Sequence, residues 1–318
     1  MGRTIRGMVP RPADFEPWLN RLPGFEDARV GSITAVDGGA SNVTCRVELL
    51  SGTVRRVCLR LQRERGIFEP YDVIREGRVI AALAATDVPV PRLLGLEPSP
   101  DTLGAPFIVL EWVDAPHMGL APDADFEAFT RMVARVHAVD WRTAGLAFLG
   151  VPASVREALE RDLAAVEARM PGFGCAGEPL LEDALARLRA TVPAEGRLAL
   201  CQGDINVFNY LFRGGDVVAV VDWEQARISD PRVDIGQLLA LAHLKGAPFG
   251  PAERMPFAAR YRAAAGADPG DLRWFRAMWL WQLAVIHYGW RRYGNGSAPW
   301  YSLEQAAELL LMALAELD

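Results

Sequence analysis

Residues 198–223, LALCQGDINVFNYLFRGGDVVAVVDW, limit the possible folds of this chain more than any other stretch. An apolar strand runs into Gly203 and Asp204, Asn209 follows five places later, and a second apolar strand begins. Gly214-Gly215-Asp216 reads as a tight turn leading into a third strand, VVAVVDW. A hairpin returns its far end to its near end, so Asp222 is expected beside Asn209, with Asp204 just upstream. Three oxygen-bearing side chains then converge at one edge of a buried element. Hard oxygen ligands of this kind suit Mg²⁺, which takes few protein ligands and leaves the rest to substrate phosphates. Turn preference explains one Asp or Asn at such a place, but not three divided by a strand.

The rest of the chain falls into two characters. Residues 30–61 read as three strands, VGSITAV, TCRVELL and VRRVCLRL, with Ser51-Gly52 as a hairpin signal. Residues 71–84 carry apolar side chains at helical spacing, and VPVPRLLGLEPS and GAPFIVLEWVD follow as strands. Beyond about residue 115 the pattern predicts helices over 124–139, 154–169, 179–191, 231–244, 252–265, 271–293 and 302–317. The expected domains are residues 1–113, a small β-rich lobe with one helix, and residues 114–318, a larger helical lobe holding the hairpin.

The net charge of −6 over 318 residues argues against a nucleic-acid partner, for which a basic footprint is usual. Cys45, Cys58, Cys175 and Cys201 form no CxxC pair and read as reduced thiols of a cytoplasmic protein. No run reaches about 18 uninterrupted apolar residues, and the N-terminus lacks a signal-peptide core, so no membrane partner is expected.

Gln202-Gly203-Asp204-x4-Asn209, followed by Val221-Asp222-Trp223-Glu224, resembles the catalytic and metal loops of the protein-kinase-like superfamily. The form is similar to that of the aminoglycoside phosphotransferase and choline kinase branch. REGRVIAALAATDVPVPRLLGL, ARVHAVDW and ISDPRVDIGQLL resemble the subgroup related to the kinase-like domain fused to some acyl-CoA dehydrogenases. The resemblance covers residues from about 30 to 293. It implies an α+β, bilobal, protein-kinase-like fold. It also implies a small-molecule kinase that moves the γ-phosphate of Mg-ATP or Mg-GTP onto a substrate hydroxyl. Asp204 would be the base, and Asn209 with Asp222 the Mg²⁺ ligands. Gln202 stands where the family usually has His and would support the loop; Asp234 would brace it, or cap a helix.

In the small lobe, the Gly38-Gly39-Ala40-Ser41-Asn42 loop would let backbone N–H groups approach phosphates. Lys245 is the only lysine, so the third-strand lysine of kinases is absent. Strand alternation turns Val57, Leu59 and Leu61 one way and Cys58 with Arg60 the other. Arg60 then takes the lysine position, with Glu76 as its helix partner and Cys58 beside the adenine. By the same alignment Leu110, Glu111 and Val113 meet the adenine, the last two through their backbone. His137, among Val133, Val136 and Val139, reads as a core histidine.

Which hydroxyl compound is phosphorylated is a matter for the large lobe. The first 113 residues hold 14 basic and 14 acidic side chains, so the negative charge lies beyond them. An acidic site would attract an aminoglycoside. Trp281, Gln282 and Tyr288 are candidates for a pocket wall suited to a macrolide or a hydroxyacyl compound. The alternative is a nucleotide-binding pseudokinase acting as scaffold or sensor, which would have no need of Asp204.

Overall fold

The structure is a computed structural model describing residues 9–36, 41–121, 125–243, 257–294 and 301–317. Its chain divides into two compact units, Met1–Ala85 with Val90–Asp114, and Thr86–Pro89 with Ala115–Asp318.

The first unit is a five-stranded antiparallel sheet with a helix against each face. Strands β1 (Val30–Ala35), β2 (Val43–Leu49), β3 (Arg56–Leu61), β4 (Leu93–Glu97) and β5 (Phe107–Glu111) lie in the order β1-β2-β3-β5-β4. Alternation along β2 and β3 sends Val43, Cys45, Val47, Val57, Leu59 and Leu61 into one core with Phe15, Trp18 and Leu19. Those three come from helix α1 (Pro12–Leu19), which the sequence reading missed. Its signal was there: Pro12 at the first turn, and apolar side chains three and four apart. A second proline inside it, Pro17, and its eight-residue length hide it from periodicity.

The other face of the sheet receives helix α2 (Val73–Leu83), capped by the Asp72 carboxylate on the Arg75 amide. Gly77 lets this helix sit low, because a Cβ there would come within 2.9 Å of Ile108. Close seating brings the neighbouring residue, Glu76, onto the strand surface.

The second unit is mainly helical: α3 (Phe126–Ala138), α4 (Val155–Glu167), α5 (Met170–Phe173), α6 (Pro179–Ala190), α7 (Arg232–His243), α8 (Phe257–Ala265), α9 (Arg273–Tyr293) and α10 (Leu303–Ala315). Apolar on nearly every side, α9 forms the centre, and its Trp274, Phe275, Met278 and Trp281 join a core with α4, α5, α6, α7 and α10. Two short sheets sit among the helices. Strands β6 (Ala199–Cys201) and β9 (Arg227–Ser229) form one, and β7 (Tyr210–Arg213) and β8 (Asp216–Val220) form the other. The β7–β8 turn is Gly214-Gly215, both at positive φ, as a two-residue hairpin between right-twisted strands favours. No described helix is long and apolar enough to cross a membrane.

Candidate active site

Four segments of the second unit meet at Asp204. The loop after β6 carries it, a 3₁₀ turn over Val207–Asn209 carries Asn209, the loop after β8 carries Asp222, and α7 bonds to the first of these through Asp234 and Gln237. The hairpin does bring its ends together: the Val221 amide donates to the Asn209 carbonyl at 2.9 Å, one residue from Asp222.

Among the described residues, the Asp204 carboxylate is held entirely by amides. Its Oδ2 accepts from Asn206 Nδ2 at 2.8 Å and Asn209 Nδ2 at 3.0 Å, and its Oδ1 from Gln237 Nε2 at 2.8 Å. Burial and the nearby Asp222 push the Asp204 carboxyl up to about 6, while the three amide donors act against them. Asn209 also donates to the Asp204 carbonyl at 2.8 Å. Both partners of that nitrogen are acceptors, so its orientation is fixed and Oδ1 is the atom it offers elsewhere.

Asp222 has φ 63°, the only non-glycine at positive φ among the described residues. The left-handed conformation costs a residue with a Cβ about 1 kcal/mol or more, and such strain persists where neighbours enforce it. Here they do: Trp223 is fully buried, its indole N–H on the Val220 carbonyl at 3.0 Å.

Gln202 and Asp234 tie these segments together. Gln202 is fully buried, donates through Nε2 to the Val221 carbonyl at 2.8 Å, and accepts from the Tyr210 hydroxyl at 2.9 Å. An amide thus supplies both a donor and an acceptor, as a neutral imidazole does. Asp234 accepts from the Gln202 amide at 2.8 Å and the Gly203 amide at 3.1 Å. It is not the cap of α7, as the sequence also allowed, but lies inside its first turn; Asp230 takes the Arg232 amide at 2.9 Å. His137 is a buried, satisfied histidine, its two ring nitrogens on Asp234 at 3.1 Å and Tyr261 at 2.9 Å. Gly203 has no room for a side chain, since a Cβ would stand 2.3 Å from the Gln225 carbonyl.

In the first unit, Arg60 and Glu76 form a buried pair, Nε to Oε2 at 3.1 Å, with Thr44 Oγ1 3.2 Å from the Arg60 guanidinium. That strand face is covered by α2, and the arginine is 8% exposed. Cys58 stands opposite Leu110 in the β3–β5 register, one residue pair from the Glu111 end. Leu110 is buried, Glu111 exposed and Val113 half-buried. Asn42 Oδ1 accepts from the Arg63 amide at 3.2 Å, which ties the end of the loop to the second residue beyond β3, and Ser41 is buried. Gly38 and Gly39 lie outside the described residues.

Of the three α9 residues read as a pocket wall, Trp281 is the one whose packing departs from that reading. Trp281 is fully buried, with its indole N–H on the Leu181 carbonyl at 3.1 Å, so it is core packing against α6. Gln282 is 6% exposed, and Tyr288 packs against the same core with its hydroxyl toward Glu178. The helix is apolar around most of its circumference because it is enclosed by others, and periodicity alone does not show that. Gln237 and Asn206 are the contacts that sequence reading missed. Asn206 had a signal, an Asn just before a turn, where its side chain takes the Phe208 amide at 2.9 Å. Gln237 had none, because only tertiary packing brings α7 to Asp204.

The sequence pattern of the phosphotransferase enzyme family matches residues 32–275. Mouse acyl-CoA dehydrogenase family member 10 is 28% identical over 252 residues, 73% of this chain and 22% of that protein. A relative from Arabidopsis thaliana, also named for an acyl-CoA dehydrogenase, is matched over 26% of its length. The chain therefore spans about a quarter of the length of these curated relatives. Among solved structures, a Ralstonia eutropha protein provisionally named an aminoglycoside phosphotransferase superposes with a TM-score of 0.71 at 22% identity, covering 97% of each chain. Macrolide 2'-phosphotransferase type I gives 0.59 at 19% identity over 97% of this chain and 98% of that one. Choline kinase from Cryptosporidium parvum gives 0.63 at 10% identity over 96% and 95%. At such identities the likeness establishes the protein-kinase-like fold. The extent of the family match, on a fold shared with these kinases, makes this chain a member of the phosphotransferase enzyme family.

Proposed function

We propose that this phosphotransferase moves the γ-phosphate of ATP or GTP to the hydroxyl of a small molecule, with Asp204 as the base. The observation that carries the reading is the state of Asp204: a carboxylate with three amide donors, no cation against it among the described residues, and one acceptor position left on Oδ1. A group held in this way is oriented yet still able to take a proton. In the transfer the acceptor oxygen bonds to the γ-phosphorus, the bond to the β–γ bridging oxygen breaks, and the hydroxyl proton passes to Asp204 Oδ1. The nucleoside diphosphate leaves.

The residues present fit Mg²⁺. Asn209 Oδ1 and the Asp222 carboxylate are hard oxygens on segments pinned to each other, and would hold the ion. When bound it supplies charge to the phosphate oxygens. Gln202 and Asp234 keep the two segments in place. Arg60, oriented by Glu76, fits a phosphate through its planar fork, a role that Lys fills elsewhere as a point charge. Residues 1–113 would thus serve the nucleotide, with Ser41, Asn42, Cys58, Leu110, Glu111 and Val113 around it, and residues 114–318 the acceptor and the chemistry.

Aminoglycosides, macrolides and hydroxyacyl compounds are the acceptor classes to separate, and Trp281, being fully buried, does not favour an apolar one. The test is nucleoside diphosphate release from Mg-ATP and Mg-GTP with kanamycin, erythromycin, choline, homoserine and 3-hydroxybutyryl-CoA. Acceptor-stimulated release that Asp204→Ala abolishes, with nucleotide binding kept, is the expected result. Release that survives Asp204→Ala would refute the assignment of the base.

A further inference from the structure

We propose that Gln237 is a positioning residue for phosphoryl transfer, which sets the plane of the Asp204 carboxylate and so fixes where the acceptor's proton is received. The inference rests on the reading of Asp204 as base. An ionised carboxylate offers about four acceptor positions, two on each oxygen. On Oδ2 both are taken, by Asn206 and Asn209. On Oδ1 one is taken, by Gln237 Nε2 at 2.8 Å. The remaining position on Oδ1 is the one that faces an acceptor hydroxyl, and Gln237 decides its direction.

Gln237 is suited to this because its own amide cannot turn over. Its Oε1 accepts from the Ile205 amide at 2.8 Å, which obliges Nε2 to point at Asp204. One side chain on α7 therefore grips both the carboxylate and the backbone one residue beyond it. The side chain is 5% exposed and most of residues 232–242 are buried, so little else competes for the amide. Asn206 and Asn209 belong to the same loop as Asp204 and move with it. Among the described residues Gln237 is the one donor to that carboxylate from outside the loop, 33 residues away. It ties the base to the helix that also carries Asp234.

The contact is tested by a double-mutant cycle of Asp204→Ala and Gln237→Met in urea unfolding, without ligand. Methionine fills a similar volume and removes both hydrogen bonds, and the loss at Ile205 is common to both backgrounds and cancels. In the wild-type background Gln237→Met should raise the unfolding constant by roughly tenfold or more, the range for a hydrogen bond to a charged group. On the Asp204→Ala background it should cost at least about threefold less. Equal cost in the two backgrounds would overturn the inference.

Turnover supplies the functional arm, read as diphosphate release from Mg-ATP and Mg-GTP with water as acceptor. Gln237→Glu keeps the acceptor for the Ile205 amide but sets an oxygen against Oδ1. Its kcat should fall about tenfold or more while KM for the nucleotide stays within about twofold. A kcat within twofold of wild type, or a KM rising in step with the loss, would also overturn it. Coupling in the cycle together with full turnover by Asp204→Ala would instead remove the base assignment and leave the contact standing.

Discussion

Replacing Asp204 by Asn should change how stability depends on pH, in a direction opposite to that of a salt-bridged acid. The Asp204 carboxyl is raised from an ordinary 3.8 to about 6, chiefly by burial. At about 1.36 kcal/mol per pH unit this corresponds to about 3 kcal/mol against the ionised form in the fold. The side chain is only half-buried, so that figure is an upper bound. Below about 3.8 both folded and unfolded chains hold the proton and the cost is absent. Between 3.8 and about 6 the folded chain keeps a proton that the unfolded chain has released, so stability falls as pH rises, and the loss is complete above about 6. Asn does not titrate. Its amide instead sets a donor against Gln237 or against Asn206 and Asn209, a constant cost of about 1–3 kcal/mol. Wild type minus Asp204→Asn should therefore decline by about 2 kcal/mol between pH about 4.5 and about 7.5. Urea unfolding in EDTA, followed by tryptophan fluorescence, reads the difference. A pH-independent offset, or a wild type that gains on the variant as pH rises, would refute the argument.

Other expectations concern the supports. Glu76→Ala leaves the Arg60 guanidinium buried without its carboxylate and should cost about 3–5 kcal/mol, measured by denaturant unfolding with fluorescence of the first unit's tryptophans. Gly203→Ala forces a Cβ to within 2.3 Å of the Gln225 carbonyl at φ +85°; it should lower the unfolding midpoint and abolish nucleotide turnover, and normal values of both would count against the packing described. Gln202→Leu strands the Val221 carbonyl and the Tyr210 hydroxyl and should cost about 2–4 kcal/mol, whereas Gln202→His, with one ring nitrogen donating and one accepting, should keep most of the stability in the same assay. Trp281→Ala should destabilise by about 3–5 kcal/mol without altering relative rates among acceptors; a changed acceptor order would restore that residue to the pocket.

Much of this protein is local and therefore legible in its sequence. The hairpin after Asn209 follows from two apolar runs around a Gly-Gly turn, and its closure carries Asp222 back to Asn209 whatever surrounds it. Alternation along β3 decides that Arg60 and Cys58 share a face, because a strand's side-chain period is two. The spacing of Asp204, Asn209 and Asp222 along this segment is likewise set by covalent order alone. What only the tertiary structure decided is which side chains from distant elements arrive. Gln237 and Asp234 reach the loop because α7 packs beneath it, and nothing in 232–243 distinguishes a glutamine facing Asp204 from one facing solvent. Trp281 is core rather than pocket because α6 covers it, and Arg60 is buried because Gly77 lets α2 settle on the sheet. Local patterns fix direction along a chain, but burial depends on what the rest of the chain brings to the other side.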